Sequence, residues 1–137
     1  MVPQTTQHLK LDFASIEVLD YYFIVTINEG LLFDRSHLAQ LYKVFNTYFP
    51  NKSFGYISNR VNDYTVDPTS YFKTQEDPWL AAVAIMCYSE NGYNNAVFEG
   101  NFYKKRPHKP FYNMEDCKNW LKLKVENHNH ENPPTVL

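Results

Sequence analysis

Residues 54–71, FGYISNRVNDYTVDPTSY, carry a short apolar segment, Phe54 to Ser58, into a polar loop that ends at a helix start. The segment reads as a strand. Asp67-Pro68 reads as an N-cap followed by proline at the first helical position, opening a short helix through about Lys73. Strand, loop and helix in that order are the unit of an α/β layer, and such sheets place binding sites at the carboxyl ends of their strands. Asn59, Arg60, Asn62, Asp63, Tyr64, Thr65 and Asp67 crowd this edge, followed by the hydroxyls of Thr69 and Ser70.

Upstream, Leu9, Leu11 and Phe13 alternate with polar residues, Ile16 and Val18 extend the run, and Tyr22 to Ile27 is apolar and β-branched after Leu19-Asp20. This predicts two strands joined tightly, hence antiparallel. Asn28-Glu29-Gly30 ends the second, and Leu38, Leu41, Tyr42, Phe45 and Phe49 then repeat at the spacing of one helix face, capped by Asp34 or Ser36. Downstream, Leu80 to Cys87, LAAVAIMC, is apolar almost throughout, as a central strand covered on both faces requires. Ser89 or Asn91 opens a third helix with apolar positions at Tyr93, Val97, Phe98 and Phe102. His108 to Tyr112 makes a fifth strand, and Asn113 caps a last helix whose inward stripe is Met114, Cys117, Trp120 and Leu121, ending near Val125.

The expected fold is α/β: a single mixed, mainly parallel five-stranded sheet with about four helices and an antiparallel N-terminal strand pair. One domain spans residues 9–125, between a disordered N-terminus (1–8) and a flexible C-terminal tail (126–137).

Composition limits the function. The 137 residues are 44% hydrophobic and 20% charged, within the range of one globular domain, and eleven tyrosines and ten phenylalanines predict a core built on rings. A net charge of -2 argues against a nucleic-acid partner, which requires a dominant basic face. The one basic cluster, Lys104, Lys105, Arg106, His108 and Lys109, reads either as cations gathered at a helix C-terminus or as a contact for an anionic partner. Cys87 and Cys117 have no metal-type spacing, no apolar run approaches the roughly 20 residues that span a bilayer, and Met1 to Lys10 lacks a signal-peptide layout. A reducing, cytoplasmic setting without membrane insertion, metal or cofactor is expected. No phosphate loop, nucleophile elbow or H-E-x-x-H is present, so the chain is not read as an enzyme. Arg60 pairs with Asp63 or Asp67, or holds an anionic group through a bidentate contact. Arg60 and Tyr64 are both expected to project from the loop.

The element order, with Phe54 to Ser58 feeding a loop and a helix begun by Asp67-Pro68, resembles the STAS domain, the fold of bacterial anti-sigma-factor antagonists. Asn28-Glu29-Gly30 together with residues 57–68, ISNRVNDYTVDP, is similar to a group of small bacterial proteins classed as STAS or CRAL-TRIO-like. The resemblance implies a regulatory module that binds a protein partner, through Asn59, Arg60, Asp63, Tyr64, Thr65 and Asp67. In the antagonists a Ser or Thr opening the helix after the third strand is phosphorylated to switch partner binding, and Thr69 and Ser70 occupy the comparable start. The loop departs from that pattern in being longer, without glycine, and in carrying Arg60 and Tyr64. The CRAL-TRIO side of the resemblance implies the alternative, a small apolar or lipid ligand.

Overall fold

The hydrophobic alternation that begins at Leu9 is cut in two by a bend at residues 11–13, where the Leu11 amide donates to the Ala14 carbonyl at 2.8 Å. The opening stretch therefore makes three antiparallel strands instead of two. The computed structural model describes residues 6–133. In chain order its elements are β1 (Gln7–Lys10), β2 (Ala14–Val18), β3 (Tyr22–Ile27), β4 (Leu32–Phe33), α1 (Arg35–Tyr48), β5 (Phe54–Asn59), β6 (Thr65–Val66), α2 (Thr69–Thr74), β7 (Leu80–Met86), α3 (Glu90–Glu99), a 3-10 turn (Gly100–Phe102), β8 (His108–Phe111) and α4 (Met114–Glu131).

Six strands form one sheet in the order β1-β2-β3-β5-β7-β8, antiparallel up to β3 and parallel from there on. The five-stranded expectation falls one short because of the bend after Lys10. The mixed α/β architecture, the antiparallel start and the four helices are as expected. The strands stand in the sheet in their order along the chain, so every crossover steps the same way. Crossovers of one hand stepping in one direction put α1, α2 and α3 on a single face, and Leu38, Tyr71 and Ala96 are buried there or at its edge. Among the described residues, α4 alone covers the other face.

The two faces are built differently. Under α1 the core is aromatic: Phe23 lies 4.4 Å from Phe45, 5.0 Å from Phe49 and 5.7 Å from Phe54 between ring centroids. Under α4 the sheet is small. Gly55 stands beside Ala82 and Ile57 beside Ala84, and a Cβ on Gly55 would come within 2.5 Å of Leu121. That missing methyl is what lets Cys117, Leu121 and Val125 sit directly on the strands. β7, buried along its whole length, fills the interior position expected from its unbroken apolar run.

α4 does not stop at Val125. It continues to Glu131, and the side chains of His128 and the buried Ser53 are hydrogen-bonded, tying the last turns to the start of β5. Residues 126–131, expected in a flexible tail, are therefore helical, a polar contact replacing the apolar periodicity that they lack. At the other end Gln7 and His8 belong to β1, while residues 1–5 and 134–137 lie outside the described residues. His128→Ala leaves the Ser53 hydroxyl buried without this partner, which costs about 1–2 kcal/mol. Thermal denaturation reads this as a lowered midpoint, and an unchanged midpoint would mean that the last turns do not brace β5. No helix among the described residues is long and apolar enough to cross a membrane.

Candidate functional site

The polar loop leaving β5 is fastened along its length. Asn59 donates to Thr26 Oγ1 at 3.1 Å and accepts from the Tyr88 hydroxyl at 2.6 Å, and Asn62 donates to the Ile27 carbonyl at 3.0 Å. Gly30, at φ 75°, turns its amide onto the Asp63 carbonyl at 2.7 Å, while Glu29 accepts the Asp63 amide at 2.8 Å. Thr65 and Val66 then pair with Leu32 and Phe33 as a second, two-stranded sheet. Asp67 ends the loop, its carboxylate accepting the Thr69 amide at 3.1 Å.

Arg60 points inward. Its guanidinium makes a bidentate pair with Glu99 of α3, both contacts 2.8 Å, and its Nε donates to Ser58 Oγ at 2.7 Å. The Tyr64 ring lies 5.3 Å from the guanidinium carbon. Glu99 is only 7% exposed and Arg60's side chain 16%, so the pair bridges loop and helix with little access to water. Neither Asp63 nor Asp67 is the partner. Tyr56, Tyr71 and Tyr103 surround the same region, and burial first, then nearby Glu99 for Tyr71 and Tyr103, raises their phenol pKa values. They remain hydroxyl donors and do not serve as bases near neutral pH. A cavity of about 40 Å³ lies among Tyr56, Arg60, Tyr71, Tyr103 and the apolar residues below them. That volume accommodates a few water molecules.

His108 on β8 stacks on Tyr103, with centroids 4.4 Å apart, and both its ring nitrogens are buried without a hydrogen-bond partner among the described residues. Burial pushes its pKa from 6.5 down to about 4, with Glu99 pulling upward and Arg60 downward. The folded protein thus refuses a proton that the unfolded chain accepts. This group's contribution is intact above about pH 6.5 and is lost as pH falls from there towards 4. The full loss amounts to about 3 kcal/mol. Urea titrations across this window should show the decline in the native chain and a flatter profile in His108→Phe; equal slopes would place the acid sensitivity elsewhere.

On the surface beside the loop, Phe72 of α2 and Phe98 of α3 are 54% and 63% exposed, and Phe102 of the 3-10 turn bridges them, its centroid 5.9 Å from the first and 5.8 Å from the second. Tyr71 stacks beneath Phe102 at 5.4 Å. A groove of about 300 Å³ runs from Phe98 past Asn95 to Asn62, Asp63 and Thr65. Two exposed rings joined by a half-buried third are more than scattered surface hydrophobics.

No family model matches the sequence, and no curated protein matches it. A solved structure does: an uncharacterized protein of the DUF3478 family from Shewanella loihica PV-4, described as having a SpoIIAA-like fold, is similar over 86% of this chain and 93% of that one, with a TM-score of 0.51 and 10% sequence identity. The fold is STAS-like. At that identity the likeness concerns the fold alone.

Within the STAS-like frame, the expected site residues divide into two groups. Asp63, Thr65 and Thr69 are exposed and Tyr64 is half-buried, whereas Asn59 and Arg60 are spent on internal contacts and Ser70 is 2% exposed, its hydroxyl donating to the Asp67 carbonyl at 2.8 Å. The two hydroxyls at the helix start are therefore unequal: Thr69 faces outward and its Oγ1 accepts from Arg35 Nε at 3.2 Å. Sequence reasoning missed Glu99 and the exposed rings. Val97 and Phe98, read as apolar positions of α3, are exposed, whereas Ala96 and Glu99 face in, Glu99 onto Arg60.

Proposed function

We propose that this chain is a non-catalytic, STAS-like regulatory module of the cytoplasm that docks a protein partner at the carboxyl edge of its sheet. The observation that carries the reading is the contiguous aromatic surface of exposed Phe72 and Phe98 and half-buried Phe102 beside a groove edged by Asp63, Tyr64 and Thr65. Asn59, Arg60 and Asp67 support it by holding the loop in shape. The two buried, unpaired thiols fit a reducing compartment. The alternative of a small apolar ligand comes second, since about 40 Å³ of internal space is well below the roughly 300 Å³ at which ligand pockets begin. Phosphorylation belongs to this reading at Thr69, where Arg35 stands ready to hold a phosphate.

Affinity capture from the native host with mass spectrometry tests it. Proteins recovered with the native chain should be lost with Phe98→Asp and kept with Leu123→Asp, an equally superficial change on α4. The same spectra report phosphate on Thr69. A set of captured proteins indifferent to Phe98→Asp would overturn the docking surface.

A further inference from the structure

Cations border the aromatic surface along α2 and the segment after the 3-10 turn, while the exposed Asp63 edges the adjoining groove. Lys73 follows Phe72 on α2, Lys104 and Lys105 follow Phe102, and Arg35 lies across from α2 at Thr69; all four are exposed. One exposed carboxylate stands among them. Glu76 is bonded to Lys73 at 2.9 Å, and it is held below its ordinary pKa first by that bond and then by the charges of Lys73, Lys105 and Arg35. Of the other acids of this region, Asp67 accepts the Thr69 amide and Asp77 the Trp79 amide, at 3.1 and 2.9 Å, while Asp63 is exposed at the groove. The rest of the basic cluster is likewise occupied, Arg106 donating to the Asp77 carbonyl at 3.0 Å and Lys109 lying 5.4 Å from the Phe111 ring. Lys104 and Lys105, two and three residues after Phe102, are thus the exposed cations of the cluster not so occupied.

We propose that the surface receives an acidic, amphipathic peptide segment of its partner, apolar side chains on Phe72, Phe98 and Phe102 and carboxylates towards Lys73, Lys104, Lys105 and Arg35. This rests on the docking reading above and names the partner's chemistry. Charge complementarity around an apolar centre is the usual division of labour at an interface, with the rings supplying affinity and the rim supplying selection and encounter rate. A segment suits the site better than a bilayer surface. The groove between loop and helix is concave and edged with the amides and hydroxyl of Asn62, Asn95 and Thr65, which match a peptide backbone and have no counterpart in a flat lipid face.

The test is selection of randomised displayed peptides against the full chain, followed by titration of the enriched peptides in solution and mapping by NMR. The expected result is enrichment of peptides combining Asp or Glu with large apolar residues, shifting the resonances of Phe72, Phe98 and Phe102. Lys104→Glu/Lys105→Glu should weaken them by about tenfold or more and flatten their salt dependence. Thermal melts of the variants establish that the fold is kept. Neutral or basic peptides on the same rings would overturn the acidic partner and leave the docking surface standing. Peptides mapping elsewhere, or no enrichment, would overturn both. Binding of phosphatidylserine vesicles that is lost in Phe98→Asp, without peptide binding, would assign the rings to a membrane and overturn the proposal.

Discussion

Arg60→Ala should lower stability by about 3–5 kcal/mol, because it leaves Glu99 as a buried carboxylate with no cation opposite it. Glu99→Ala should cost a similar amount from the other side, stranding the guanidinium under Tyr64. Removing both charges together, as Arg60→Met/Glu99→Leu, should restore most of the loss, since a buried ion pair gains little over apolar groups of similar size once desolvation is counted. Urea unfolding of the three variants forms a cycle whose coupling term isolates the pair. If Arg60→Ala melted like the native chain, the guanidinium would have to be solvated in solution and free to contact a partner directly.

Val83→Asp is the second large effect. Val83 lies in the middle of β7, is 1% exposed, and has Tyr56 on one side and His108 on the other in the register of the sheet. Neither neighbour supplies a positive charge, His108 being neutral at pH 7. An unpaired carboxylate there costs several kcal/mol, a large share of the roughly 5–15 kcal/mol that holds a domain together. The variant should lack native circular dichroism and a cooperative melt. A soluble, natively folded product would remove β7 from the interior.

What could be read from the sequence follows what is local in it. β7 was legible because burial on both faces leaves no polar residue to interrupt the run. Asp34, Ser89 and Asn113 were legible because each N-cap bonds to amides within three residues of itself. The bend at residues 11–13 was not, because Leu11 and Phe13 are apolar and Phe13 is buried, so the alternation runs unbroken through a change of strand. The inward face of α3 was hidden for a different reason. It includes Glu99, whose partner is 39 residues away, and no window on the helix contains that fact. The loop could be located but not its inside and outside: Arg60, Thr69 and Ser70 look alike in sequence, and only the sheet edge above and the helix beside them decide which side chain meets solvent.

The small residues beneath α4 also bear on how the chain is made. α4 is synthesised after both strands it covers, and its platform on β5 and β7 must stand bare until it arrives. Because that platform holds Gly55, Ala82 and Ala84, with Ile57 and Met86 as its larger members, a nascent chain waiting for α4 presents little sticky area to its neighbours. The ring-rich half of the core, the part most prone to aggregation, can close earlier, as soon as α1 folds back on β3 and β5.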